Sequence, residues 1–207
     1  MTLMAIAWDV DGTLVDSEPL HHRALLASCR HFGLDLSHLP EERFCGVHIF
    51  DVWEQLKPEL PPEVQKEEWL QAIEEYYHQH SNELIAIPGS QEVIRQLAAQ
   101  GIKQACVSNS CRRIVESNLQ ALGVLEFIDI IVTLDDVLCG KPDPEPYQQA
   151  INFLDLPASA VLAVEDSPTG MLSARAAGMP VVFYGALPSP IAQVSEITSL
   201  AQILQWF

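Results

Sequence analysis

The sequence predicts an α/β protein: a Rossmann-like parallel sheet with helices on both faces, interrupted after its first strand by an inserted all-helical domain. Short apolar runs at residues 4–8, 103–107, 128–133, 160–164 and 180–184 alternate with amphipathic segments, the pattern of strands buried on both faces and joined by helical crossovers. Residues 17–88, in contrast, carry helical periodicity and aromatic residues without a strand-like run. The expected division is a sheet domain of residues 1–16 and 88–207 and a helical cap domain of residues 17–87.

In order along the chain, Leu3-Met4-Ala5-Ile6-Ala7-Trp8 is apolar, lacks a basic flank and runs directly into acids, so it reads as a buried strand rather than a signal peptide. The insertion holds helices near residues 19–33, 48–57 and 62–82, the last two separated by Pro58, Pro61 and Pro62. In the second half, Asp143-Pro144-Glu145 opens one helix. Ser167 followed by Pro168 opens another, as a cap residue with proline at the first helical position, and Gly178 and Pro180 close it. No repeat or low-complexity tract interrupts the pattern.

Composition narrows the function. With 207 residues, 48% of them hydrophobic, the chain can bury a core unaided. Its 28 acids against 11 bases give a net charge of −17, which opposes any general affinity for nucleic acid or anionic lipid. A phosphate substrate would be repelled at long range as well, so a cation and aimed backbone dipoles would have to reverse the field locally. The five cysteines, Cys29, Cys45, Cys106, Cys111 and Cys139, are odd in number and lack CxxC spacing; they read as reduced, mostly packed thiols. No apolar run is long enough to span a bilayer. A cytoplasmic monomer is the default expectation.

Open parallel sheets bind ligands beyond the carboxyl ends of their strands, and four of these ends are polar. Asp9-Val10-Asp11-Gly12-Thr13 leaves the first strand with two acids one residue apart, which repel unless a cation lies between them. Ser108-Asn109-Ser110 offers hydroxyl and N–H groups that suit phosphate oxygens. Gly140-Lys141-Pro142-Asp143-Pro144 holds a lysine in a loop stiffened by two prolines. Glu165-Asp166-Ser167 ends the most apolar run with hard oxygen ligands suited to Mg²⁺. Each segment has a plain alternative as a solvated turn, a helix cap or a surface lysine. The four together do not share one. Asp9, Asp11, Glu165 and Asp166 set four negative charges against the single positive charge of Lys141, so phosphate binding there requires a divalent cation.

These segments, in this order and with a helical insertion after the first, resemble the haloacid dehalogenase superfamily of phosphotransferases over essentially the whole chain. DGTLVDSEPLHHRAL, GKPDPEPY, EDSPTG and AAGMPVV look like its β-phosphoglucomutase-like branch. The resemblance implies that Asp9 attacks phosphorus and that Asp11 protonates the leaving oxygen and then activates water. It makes Mg²⁺ the cofactor, with Asp9, Glu165, Asp166 and the Asp11 backbone carbonyl as ligands, one of the paired acids acting through water in some members. Ser108 and Lys141 would bind the transferring phosphoryl group, with Asn109 and the Gly12 and Thr13 backbone beside it. The cap, hinged near Ser17 and Pro88, would close over the site.

Departures from the family pattern separate its activities. Asp11 argues against dehalogenation, because the dehalogenases lack that aspartate. Gly46 is followed by Val47-His48-Ile49-Phe50-Asp51, without the arginine with which β-phosphoglucomutases grip a second phosphate, and this favours hydrolysis over mutase chemistry. A phosphatase acting on a small phosphorylated metabolite, most simply a sugar phosphate, is therefore expected. The alternatives are a phosphosugar mutase and a non-catalytic phosphate-binding protein. Asp11 is expected to face the apolar cap, where desolvation would keep it protonated. His21 matches a mutase-branch histidine that contacts the acid/base aspartate, although a helix-surface position is its plain alternative, as for His22. His48, Phe50 and Trp53 are the cap positions placed to read substrate, with cap packing as the alternative.

Overall fold

The computed structural model describes residues 2–40, 43–44, 47–187, 191 and 194–207, which form two compact units, residues 1–16 with 85–207 and residues 17–84. The first unit is built on a sheet of six strands: β1 (Ala5–Trp8), β4 (Lys103–Val107), β5 (Ile130–Val132), β6 (Val161–Glu165), β7 (Val181–Tyr184) and β8 (Val194–Ile197). All neighbours are parallel, in the order β5-β4-β1-β6-β7-β8. Ala7 lies between Ala105 and Ala163 in register. The chain builds outward from β1 in one direction through β4 and β5, then in the other through β6 to β8. Asp9 leaves the sheet at this reversal, the position where open α/β sheets bind ligands.

Alternation along the strands assigns the two faces. Ala5, Ala7, Ala105, Val107, Val161 and Ala163 pack with Tyr147, Ala150 and Leu154 of α6 (Glu145–Leu154) and with Met171 and Ala174 of α7 (Pro168–Ala176). On the opposite face the Trp8 indole N–H donates to Gln104 Oε1, and the Gln104 amide donates to the Ile94 carbonyl of α4 (Ser90–Ala99). Helices thus cover both faces, as the apolar runs require. α5 (Arg112–Ala121) connects β4 to β5. The expected helix starts are present: Ser167 Oγ accepts the Gly170 N–H at 3.0 Å, and Asp143 Oδ1 accepts the Glu145 N–H at 2.9 Å.

The second unit holds α1 (Glu18–His31), α2 (Ile49–Leu56) and α3 (Lys66–Gln79). The third helix starts four residues later than expected. Its start is fixed by Gln65 and Glu68, whose side chains and backbone N–H groups cap one another. The Ser28 hydroxyl donates to the Trp69 carbonyl, tying α1 to α3, and the Trp53 ring of α2 lies 5.4 Å from that of Trp69.

Two elements differ from the sequence expectation. β2 (Val15–Asp16) and β3 (Ile85–Ala86) form a two-residue antiparallel ladder where the chain leaves and re-enters the sheet unit, too short for any periodicity to reveal. β8 reads Val-Ser-Glu-Ile, with its two central residues exposed, the composition of a polar edge strand. Among the described residues Cys29 and Cys106 are buried, Cys111 is half-buried and Cys139 exposed, all as free thiols. Cys45 and Gly46 lie outside the described residues. No helix among them is long and apolar enough to cross a membrane.

Candidate active site

Past the end of β1 the chain curls tightly, with the Leu14 and Val15 N–H groups both donating to the Val10 carbonyl. The curl brings Thr13 back onto Asp9. Thr13 Oγ1 donates to Asp9 Oδ2 at 3.0 Å, while Lys141 Nζ donates to Asp9 Oδ1 at 2.7 Å. Both oxygens of a carboxylate only 7% exposed are therefore oriented by donors. Lys141 is itself 7% exposed, and its ammonium also donates to Glu165 Oε1 at 2.6 Å. The surface-lysine alternative does not describe it.

The loop carrying Lys141 is clamped by Asn109. Asn109 Oδ1 accepts the Lys141 N–H at 2.7 Å, and its Nδ2 donates to the Lys141 carbonyl at 3.0 Å. A Cβ at Gly140 would lie 2.7 Å from Asn109 Oδ1 and from Leu134, so a larger residue there would displace the clamp. Both ends of the Asn109 amide thus hold the backbone that presents Lys141.

Glu165 and Asp166 meet Asp9 from the end of β6. One ligand oxygen from each of the three lies within 4.8 Å of the others. Two glycines make room for them: a Cβ at Gly12, whose φ is +82°, would overlap the Asp166 carboxylate, and one at Gly170 would overlap that of Glu165. Glu165 is fully buried, and the Tyr147 hydroxyl donates to its Oε1 at 2.6 Å. A cluster of carboxylate oxygens of this kind fits a small hard divalent cation.

The electrostatics follow from burial and crowding. Burial, and then the charge of Glu165, push Asp9 up from 3.8 to about 7 despite the opposing effect of Lys141. Burial and the charge of Asp9 raise Asp166 from 3.8 to about 7. Burial alone would lower Lys141, but Asp9 and Glu165 outweigh it and push the ammonium well above its ordinary value. Between 3.8 and about 7 the metal-free fold binds protons at Asp9 and Asp166 that the unfolded chain has released, so its stability falls as pH rises through that window. Thermal melts in EDTA are expected to give a midpoint several degrees higher at about pH 6 than at about pH 8, and Mg²⁺ should narrow the gap. Asp166→Asn should flatten the dependence. A midpoint that rises with pH in EDTA would show that the acids are not destabilised as described.

Asp11 Oδ2 accepts from the Ser108 hydroxyl at 3.1 Å and the Ser110 hydroxyl at 3.0 Å, and its Oδ1 accepts from Asn118 Nδ2 at 3.1 Å. Polar groups of its own unit thus orient the carboxylate. Ser108 is 2% exposed and its Oγ also accepts the Ser110 N–H. Residues 108–111 are a loop, and α5 begins at Arg112.

The cap positions fall within the helical unit. Trp53, 4% exposed and against Trp69, is a packing residue, which corrects its assignment to substrate binding. His48 caps α2, its Nδ1 accepting the Phe50 N–H at 3.2 Å, and the His21 ring lies 4.7 Å from that of Tyr77. Tyr147, Ser110, Asn118 and Gly170 were not singled out by sequence. Ser110, Tyr147 and Gly170 lie inside the quoted motifs and were within reach. Asn118 sits on a helix face among apolar neighbours, where no local pattern separates a site residue from core.

A family model described as haloacid dehalogenase-like hydrolase matches residues 6–184. Pyrophosphatase PpaX of Bacillus cereus is 29% identical over 180 residues, covering 86% of this chain and 81% of the relative. Validoxylamine A 7'-phosphate phosphatase of Streptomyces hygroscopicus is also 29% identical over 180 residues, covering 83% and 81%. The crystal structure of CbbY from Rhodobacter sphaeroides in complex with phosphate superposes with a TM-score of 0.85 at 25% identity, covering 98% of this chain and 96% of that one. Since the family match spans the sheet unit from β1 to β7 and includes all four polar strand ends, the chain belongs to the haloacid dehalogenase-like hydrolases.

Proposed function

We propose that this hydrolase is a Mg²⁺-dependent phosphatase that removes phosphate from a small monoester, a sugar phosphate being the expected class, through an aspartyl-phosphate on Asp9. The observation that carries the reading is the paired orientation of Asp9, with Lys141 on one oxygen and Thr13 on the other, beside the acids Glu165 and Asp166. A carboxylate so held is a fixed nucleophile, and covalent catalysis divides hydrolysis into two in-line displacements. Lys141 neutralises charge on the equatorial phosphoryl oxygens in both. Ser108 donates to the same group. Asp11 delivers a proton to the departing oxygen in the first displacement and takes one from water in the second. Asp9, Glu165, Asp166 and the Asp11 carbonyl would hold Mg²⁺, which supplies charge neutralisation between the acids and the phosphate.

The test is hydrolysis of p-nitrophenyl phosphate by purified protein with and without Mg²⁺. Activity that requires the ion and disappears in EDTA is expected. Undiminished hydrolysis in EDTA would refute the metal assignment. A panel of sugar phosphates run beside pyrophosphate separates the substrate classes, since PpaX is named for the latter and the validoxylamine relative for an organic phosphate.

A further inference from the structure

α5 turns an apolar face toward the sheet unit's core. Ile114, Val115 and Leu119 recur along it at helical spacing and are buried, as is Leu122 just past its end. Asn118 interrupts this face. It is 0% exposed, so its polar amide carries a desolvation cost that an aliphatic residue would avoid, and asparagine is also a poorer helix former than leucine. Its Nδ2 spends one N–H on Asp11 Oδ1 at 3.1 Å, across 107 positions of sequence.

Ser108, Ser110 and Asn118 do not serve Asp11 equivalently. Ser108 and Ser110 both serve Oδ2, whereas Asn118 serves Oδ1. When Ser108 turns its single proton to a phosphoryl oxygen, Asp11 loses one donor on Oδ2 and none on Oδ1. With Ser110 and Asn118 retained, each carboxylate oxygen still has a partner and the plane of the group stays defined. Lys141 and any bound cation are competing attractions for a carboxylate two residues from Asp9. A donor that phosphate does not recruit is what prevents Asp11 from swinging toward them.

We infer that Asn118 is a positioning residue for Asp11, holding its carboxylate in the orientation needed for proton transfer throughout the catalytic cycle. The inference rests on the acid/base role proposed above for Asp11. It predicts that loss of the amide harms the steps in which Asp11 moves a proton and spares those in which it does not.

The test uses Asn118→Leu, which suits the apolar face and keeps the helix, with Asn118→Ala as a second variant carrying the same kinetic expectation should leucine prevent folding. Steady-state turnover of glycerol 2-phosphate should fall about tenfold or more, with KM within about twofold. In rapid-quench experiments with p-nitrophenyl phosphate the first release of nitrophenol should stay within about threefold of the parent, because that leaving group needs little protonation. The thermal midpoint should not fall for Asn118→Leu. In an Asp11→Asn background the same change should add no further loss, since the group it positions is gone. Unchanged turnover in the parent background would overturn the inference, as would increased turnover, or an equal loss in both backgrounds. If Asp11→Asn alone retains parental turnover, the acid/base reading fails instead, and the two failures are distinct.

Discussion

Asp9→Asn protein is expected to fold as the parent does and to lose turnover of p-nitrophenyl phosphate by roughly 10⁴-fold or more. The amide is a very weak nucleophile, yet the pocket can accept it. Its oxygen can take the Lys141 ammonium, and the Thr13 hydroxyl, which now donates to Oδ2, can turn to accept from the amide nitrogen. The substitution also removes the charge that burial and Glu165 make unfavourable. Stability in EDTA at about pH 8 should therefore equal or exceed that of the parent. A melt combined with the kinetic assay checks both halves. Near-parental turnover in a folded variant would end the nucleophile assignment, whereas lost turnover with a collapsed melting point would point to a structural role.

Asp11→Asn is expected to separate the two displacements. In the first, Asp11 protonates the departing oxygen, but nitrophenolate leaves without much help and a sugar alkoxide does not. In the second, Asp11 takes the proton of the attacking water whatever group has left. The variant should release nitrophenol in a burst approaching one equivalent per chain and then stall, whereas glycerol 2-phosphate should give no burst. Binding should survive, since in the proposed scheme Asp11 would meet the cation through its backbone carbonyl. The amide can also keep part of the network, with its oxygen accepting from either serine or from Asn118. Equal loss with both leaving groups and no burst would make Asp11 a structural acid.

The fold was legible because its signals are local. Five of the six sheet strands fall on apolar runs, four of them almost wholly buried, and Ser167-Pro168 and Asp143-Pro144-Glu145 mark helix starts by local side-chain hydrogen bonds. β8 was missed because an exposed edge strand lacks such a run. For the candidate site, what could be read was position: Asp9, Asp11, Ser108, Lys141 and Asp166 follow strands, Glu165 ends one, and a parallel sheet brings strand ends together. The connections among them could not be read. Nothing local shows that Asn109 clamps Lys141, that Tyr147 serves Glu165 or that Asn118 reaches Asp11, because each contact joins residues at least 18 positions apart. Asp11 illustrates the point, since its partners Ser108, Ser110 and Asn118 come from β4's exit loop and α5, about 100 positions along the chain.

The most direct test of the central claim is to locate the phosphoryl group. Asp11→Asn protein quenched after a single turnover of p-nitrophenyl phosphate, reduced with borohydride and mapped by mass spectrometry should contain Asp9 converted to homoserine, the product of reducing an acyl phosphate. Protein without substrate should contain none. Conversion at a different carboxylate, or a nitrophenol burst that leaves every carboxylate unmodified, would contradict a covalent intermediate on Asp9.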